Sequence, residues 1–408
     1  MRLNIINHIA KKEIISTLRD RRAIISSIVL PLLILPAMMI GMPFLIGNIF
    51  QGEQNNISEI AVLGLENMPK SLEEKLLAQN TKLIAVEKPL ELVQDGSYQV
   101  ALEIPDDIND KIANKENFEL KIFAKEASLK SSLNSMKLNA AISAFKQEII
   151  VERLADVGLE GNVLEPIQIS TIDASSKAEK SSGQMAWLIP FFIAIWSLAG
   201  GQITALDATA GEKERGTLEA LLASPAKRIE IVLGKFLATL FFSLAASTMA
   251  IVGYIGAGVL TRNIFSKNLS QSTQEIVSAF GGNLNISFSS VSLLFISSVL
   301  LAALIAALLI SITMFARSYK EAQSYVAPLS MFMVIPAVGL QFSEFFADKL
   351  IIHAVPILNV LVLMDKAVKG KAQTIEIIVT WLSMIIMALA LLVFAYRNFK
   401  REGVIFRT

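Results

Sequence analysis

The chain has 408 residues, 53% of them hydrophobic and only 18% charged, with a mean hydropathy of +0.55. Soluble chains average about 25% charged residues, so an ordinary soluble globular protein is excluded. A balance of 37 Lys+Arg against 36 Asp+Glu offers no basic field for nucleic acid. The absence of Cys removes disulfides, thiolate metal sites and Cys nucleophiles, and two histidines (His8 and His353) are too few for most imidazole metal sites.

Residues 1–22 read as a cationic amphipathic helix. Leu3, Ile6, Ile9, Ala10, Ile14 and Leu18 share one face, and Lys11, Lys12, Glu13, Arg19 and Asp20 lie elsewhere, a pattern suited equally to a helix in the inner headgroup layer or to a simple positive-inside anchor. A charge-free run over 23–47 follows. About 20 apolar residues cross about 30 Å of hydrocarbon, so this run is a span. It is too long for a signal-peptide core and no small-residue cleavage site follows, which makes it an uncleaved anchor. Pro31, Pro36 and Pro43 predict kinks in it. Further runs at 185–206, 236–260, 291–315, 325–342 and 377–396 bring the crossings to six.

Between the first two runs, residues 48–184 have the pattern of a folded α/β module. Short apolar stretches at 60–65, 83–86, 98–104, 118–123 and 167–172 suggest strands. Residues 127–154 lack Gly and Pro, and Leu129, Leu133, Met136, Ala140, Ile142, Phe145, Ile149 and Leu154 recur at helical spacing, so one long amphipathic helix is expected. The carboxylates here, Glu53, Glu59, Asp106 and Asp107 among them, read as solvated surface with no paired catalytic arrangement.

Six spans put both termini on one side of the membrane. Short segments on that side hold 17 Lys+Arg against 6 on the other, so the termini and the 397–408 tail are expected to be cytoplasmic and the 48–184 module outside. In the outer segment 343–375, the 13-residue apolar run 351–363 is short enough to be re-entrant or interfacial, with His353 a polar residue near the outer interface.

The 207–235 loop carries the most specific signal. In Gly211-Glu-Lys-Glu-Arg-Gly-Thr-Leu-Glu-Ala-Leu-Leu-Ala-Ser-Pro225, Thr217 is expected to cap a short helix with Glu219 in its first turn and Leu218, Leu221 and Leu222 on its apolar face. Ser224 would cap a second helix with Pro225 at its first position. Such a knuckle either seats the spans in the interface or docks a cytoplasmic partner.

This stretch resembles the signature loop of ABC-2-type transporter permeases, E-x-E-x-G-T-L-E-x-L-L-x-S-P. Glu212, Glu214, Gly216, Thr217, Leu218, Glu219, Leu221, Leu222, Ser224 and Pro225 match it position by position, with Arg215 within it. The cationic N-terminal helix and the six spans extend the resemblance to the whole chain, which is most similar to the NatB-like branch associated with sodium export. The resemblance implies an α-helical membrane protein forming the permease half of an ATP-driven exporter, a homodimer in the cell membrane whose loop couples to a separate ATPase. ATP and Mg would bind that partner, with no cofactor or metal on this chain. Independently, no G-x-x-x-x-G-K-[ST] phosphate loop occurs, since Gly234-Lys235 is followed by Phe236.

The middles of the six runs lack Asp, Glu, Lys, Arg and His. Their polar groups are hydroxyls: Ser243, Ser247 and Thr248 in the third, Ser311 and Thr313 in the fourth and Ser330 in the fifth. Such groups serve helix packing or offer oxygen to a hard cation, while an uncharged lining equally suits a lipid-like or drug-like amphiphile. A sensory or scaffold protein with a ligand-binding outer module is the alternative from another class. An intramembrane enzyme is disfavoured for want of an acid or base in the spans.

Overall fold

A computed structural model of the chain describes residues 2–125, 127–159, 172, 174–261 and 287–400. Two compact units emerge, one formed by Met1–Ile46 with Ala174–Thr408 and the other by Gly47–Asp173.

Helix α1 (Leu3–Arg19) turns inward on Ile6, Ile9, Ala10, Glu13 and Thr17. Leu3 and Leu18, expected on its apolar face, are 71% and 41% exposed, and Glu13 takes an inward place instead. The helix ends at Asp20, whose backbone is extended and whose carboxylate accepts the Arg22 N–H at 2.8 Å, so the next helix starts one residue on. That helix is α2 (Arg21–Ile49), the first of six among the described residues long and apolar enough to cross a membrane. Its prolines act through widened π turns at Ile25–Val29 and Ala37–Gly41. Pro31 and Pro43 have no N–H to return to the carbonyls four residues back, Ser27 and Met39, and each of those lies within one of the π turns.

The second unit is a four-stranded mixed sheet with helices on it. Strands β1 (Ser58–Leu63), β2 (Thr81–Ala85), β3 (Val100–Glu103) and β4 (Lys121–Ala124) run in the order β2-β1-β3-β4, parallel except for β3 with β4. Helices α3 (Lys70–Leu77), α4 (Pro89–Asp95) and α5 (Ile108–Ala113) fall between strands, and α6 (Leu129–Asp156) follows them. The two-residue period of β1 sends Ile60 and Val62 to a core with Leu72, Leu76, Leu138 and Phe145, while Ala61 meets Val93 and Ala101 opposite. Four expected strands and the long helix therefore stand within a few residues of their sequence positions. The expected strand at 167–172 lies outside the described residues, apart from Ile172.

The first unit resumes with α7 (Lys177–Ser182), opened by a capping box between Ser176 and Glu179. The remaining helices are α8 (Leu188–Glu214), α9 (Thr217–Ala223), α10 (Arg228–Leu260), α11 (Phe288–Thr313), α12 (Tyr319–Phe345), α13 (Leu358–Val368) and α14 (Thr374–Phe399). With α2, the helices α8, α10, α11, α12 and α14 make the six long apolar ones, matching the six runs. α8 contains a third π turn at Asp207–Gly211 and α12 holds Pro328 and Pro336 internally.

The apolar run at 351–363 is not one continuous element. A 3₁₀ turn at Leu350–Ala354 is separated from α13 by Pro356 and by Ile357, whose φ is +74°. Residues Val360–Val368 are buried, on all sides of that helix. His353, expected near the interface, is fully buried: its Nδ1 lies 3.2 Å from the Thr380 hydroxyl and its Nε2 3.1 Å from the Ala347 carbonyl. The surrounding apolar run made it a core residue, and a buried imidazole needs partners for both nitrogens.

Candidate functional site

The signature loop begins while α8 is still helical and ends at the start of α10. Gly216 holds φ +72° and ends the first turn, and Thr217 opens α9. The cap is therefore Gly216 rather than Thr217, because the Thr217 hydroxyl is spent on the Glu212 carbonyl at 3.2 Å. A Cβ at Gly216 would meet nothing within 4 Å, so only the left-handed backbone excludes other residues. Gly216→Val is expected to lower stability by about 1–2 kcal/mol and Gly216→Asn by less, an order that thermal unfolding in detergent checks.

Ser224 does not begin the next helix either. It closes α9, donating to the Leu221 carbonyl at 2.6 Å. The start of α10 is fixed three residues later by Glu230, which accepts the backbone N–H of Lys227 at 2.9 Å and of Arg2 at 2.8 Å. Arg2 also reaches Glu230 Oε2 with its guanidinium at 3.1 Å and donates to the Pro225 carbonyl, so Pro225 sits outside the helix.

Of the motif carboxylates, Glu212 is turned into the protein. Glu212 is 4% exposed at its side chain and accepts from both Lys235 of α10 and Lys12 of α1. Lys235, 1% exposed, lies 3.6 Å from Glu13 Oε1 and also donates to the Ala208 carbonyl within the π turn of α8. Lys12 pairs with Glu13 at 3.2 Å. Burial raises the Glu13 carboxyl above its ordinary value against the pull of Lys235. Burial opposes the Lys12 charge too, yet its bonds and attraction to Glu212 and Glu13 hold it above its ordinary value. α1 reaches this place because Gly234 has no side chain: a Cβ there would sit 2.7 Å from Ile9 Cβ.

The next residues of the loop tie it to two more helices. Lys213 Nζ donates to the Met314 and Ala316 carbonyls at 3.2 and 3.1 Å, at the end of α11. Glu214 accepts the Tyr319 N–H at 2.7 Å, at the start of α12, and Arg215 pairs with Asp207 at 2.9 Å. Leu218 is buried, Leu221 and Leu222 are partly so, and Glu219, Ala220 and Ala223 remain exposed. Beside them a cleft of about 760 Å³ is lined by Glu219, Ala223, Lys227, Arg228, Tyr396 and Lys400, the last standing 4.5 Å over the Tyr396 ring.

The hydroxyls of the spans do not converge in this way. Ser247 donates to Leu244, Ser311 to Ala307 and Leu391, Thr313 to Leu309, and the exposed Ser330 to Ala327, all at carbonyls. Ser243 is buried against Gly201 with no hydrogen-bond partner, and Thr248 is half-buried. Among the described residues no group of three His, Cys, Asp or Glu is placed to hold a metal ion.

The sequence reading missed Glu13, Lys235, Glu230 and Arg2. A signal was present for Glu13, since Ile6, Ile9, Ala10, Glu13 and Thr17 share a three-four spacing that places the carboxylate on the inward face. Lys235 gave none, because a Lys directly before an apolar run reads as a span boundary.

Six long apolar helices among the described residues, with a compact helical knuckle between the second and third, define a multi-pass membrane protein. The match of residues 7–404 to the ABC-2 family transporter protein model makes the chain a member of that family. It is 30% identical, over 335 residues and 81% of each chain, to the ABC transporter permease protein NatB of Bacillus subtilis (strain 168). No solved structure matches it. The chain is thus a non-catalytic membrane subunit of an ABC transporter, with ATPase activity in a partner subunit, and the sensory-scaffold reading is set aside.

Proposed function

We propose that the chain is the permease of an ATP-driven exporter whose α9 knuckle docks on the ATPase at the cytoplasmic face. The observation that carries this is the division of labour in the loop. Leu218 and the Glu212–Arg215 contacts secure the knuckle, while Glu219, Ala220 and Ala223 stand free to meet a partner. In this reading both termini are cytoplasmic, the Gly47–Asp173 unit lies outside, two copies assemble, and ATP with Mg binds the partner. Sodium is the cargo that the NatB-like resemblance supports. The lack of ionisable side chains in the middle of the spans favours an amphiphile as the second reading.

Ala220→Trp is expected to abolish co-purification of the ATPase, because a bulky ring on a docked helix face cannot be accommodated. Glu214→Ala should retain the partner, since that carboxylate already serves the Tyr319 N–H. A pull-down from membranes in which Ala220→Trp keeps its full ATPase complement would sink the docking assignment. Efflux of radiolabelled sodium against that of a fluorescent amphiphile, from proteoliposomes with ATP, separates the two cargo readings.

A further inference from the structure

We propose that Lys235 is a positioning residue for energy coupling: its buried ammonium joins Glu212 of the docking loop, Glu13 of α1 and the π turn of α8, so that these move with α9 as one body. The proposal rests on the docking reading above and deepens it by naming how movement of the knuckle reaches the bundle.

Three observations converge on Lys235. Its ammonium, supplied by α10, has partners on two other helices at once, Glu212 and the Ala208 carbonyl on α8 and Glu13 on α1. The cluster is charge-balanced, Lys12 and Lys235 against Glu13 and Glu212, and three of its four side chains are at most 4% exposed. One turn along α1 from Glu13, Ile9 lies directly on the Gly234 backbone, so α1 cannot slide on α10 without breaking contact on both sides of the ion pair.

Stability alone does not call for such a cluster. Well-packed apolar residues of similar volume commonly replace a buried ion pair without loss, whereas removing one partner strands a charge. What the ions add is a fixed register among helices. The other ties of the loop, from Lys213 to the end of α11 and from Glu214 to the start of α12, fasten to backbone groups. Lys235 is where side chains from separate elements meet.

The test uses the full-length permease purified with its ATPase in proteoliposomes. Two variants are compared with wild type: Lys235→Met and the double Glu212→Gln/Lys235→Met. The double is charge-balanced and keeps the Lys12–Glu13 pair, so it guards against misfolding of the single variant, which leaves a buried carboxylate unpaired. Both are expected to retain the ATPase at wild-type stoichiometry while the ATPase rate of the complex falls at least tenfold. A double variant that regains the wild-type rate overturns the proposal, because a purely structural cluster is repaired by restoring charge balance. A double variant that does not fold also counts against it, showing the cluster to be structural. If wild type itself brings down no ATPase, the docking reading fails first and takes this inference with it.

Discussion

Replacing Gly200 by Leu is expected to leave little monodisperse protein in detergent, whereas Gly256→Ala in a neighbouring helix does not destabilise the protein. Gly200 of α8 faces α10 so closely that a Cβ would stand 2.5 Å from the Ala246 Cβ and 2.6 Å from the Phe242 carbonyl oxygen. The obstacle includes backbone, so relief requires the two helices to part, and they form the most intimate pair in the bundle. Without a hydrophobic force between helices in lipid, close packing of small residues carries much of the association. Gly200→Ala should therefore cost about 1–3 kcal/mol, the usual range for overpacking, and Leu more. Gly256 is the matched control: it lies within α10 with nothing within 4 Å of its Cβ, so Ala there gains helix propensity of up to about 1 kcal/mol. Size-exclusion profiles and thermal scans of the three variants test the contrast. Equal melting of Gly200→Leu and wild type would show that α8 and α10 are not in backbone contact.

Lys366→Met is expected to be the most damaging single charge removal at the opposite end of the bundle. Lys366 pairs with Asp348 at 2.8 Å and with Glu376 at 2.6 Å, and Glu376 Oε1 is also 3.5 Å from His353 Nε2. Nearby, Asp365 accepts from Ser343 at 2.8 Å and from Lys369 at 2.9 Å. Glu376 is 5% exposed at its side chain, so losing Lys366 strands a buried carboxylate, a cost of about 3–5 kcal/mol. Adding Glu376→Gln should restore most of it.

The pH dependence has a definite sign. Burial opposes the Lys366 charge, but the hydrogen bonds to Asp348 and Glu376 outweigh it and raise the pKa above the ordinary 10.5. A raised Lys contributes stability that is complete below 10.5 and is lost as pH rises through the higher folded value. Asp348, lowered by the same hydrogen bond, contributes above its ordinary 3.8 and loses that contribution as pH falls. Wild type should therefore weaken at pH above 10.5 more steeply than Lys366→Met, as unfolding followed across alkaline pH would reveal. Parallel curves for the two proteins would refute the assignment.

The helices that cross the membrane and the sheet of the second unit were legible because each rests on a repeat in the sequence. Uninterrupted apolar runs marked the six long helices, and the alternation around Ile60, Ala61 and Val62 marked a strand with two different faces. Contacts that depend on one residue meeting another far along the chain were not legible. Glu230 caps α10 through the nearby Lys227 N–H, but nothing local announced that Arg2, 228 residues away, returns to it. The motif gave the loop its place and its likeness to a family, yet nothing local told that Glu212 points inward. The same limit applies to His353, whose partners Ala347 and Thr380 belong to separate elements.

The π turns of α2 also store rotation. Each adds one residue to a ladder that otherwise advances 100° per residue, so two of them offset the azimuth of one end of the helix from the other by about 200°. Ala23, Ser27, Pro31, Leu35 and Met39 are buried at every fourth residue, a spacing that an unbroken α-helix would carry around its axis and that the π turns hold on one face. Loss or gain of a single residue between 25 and 29 would swing the whole of α1, with Lys12 and Glu13 on it, around the axis of the first span. The length of that segment, more than the identity of any residue in it, keeps the N-terminal helix aimed at Lys235.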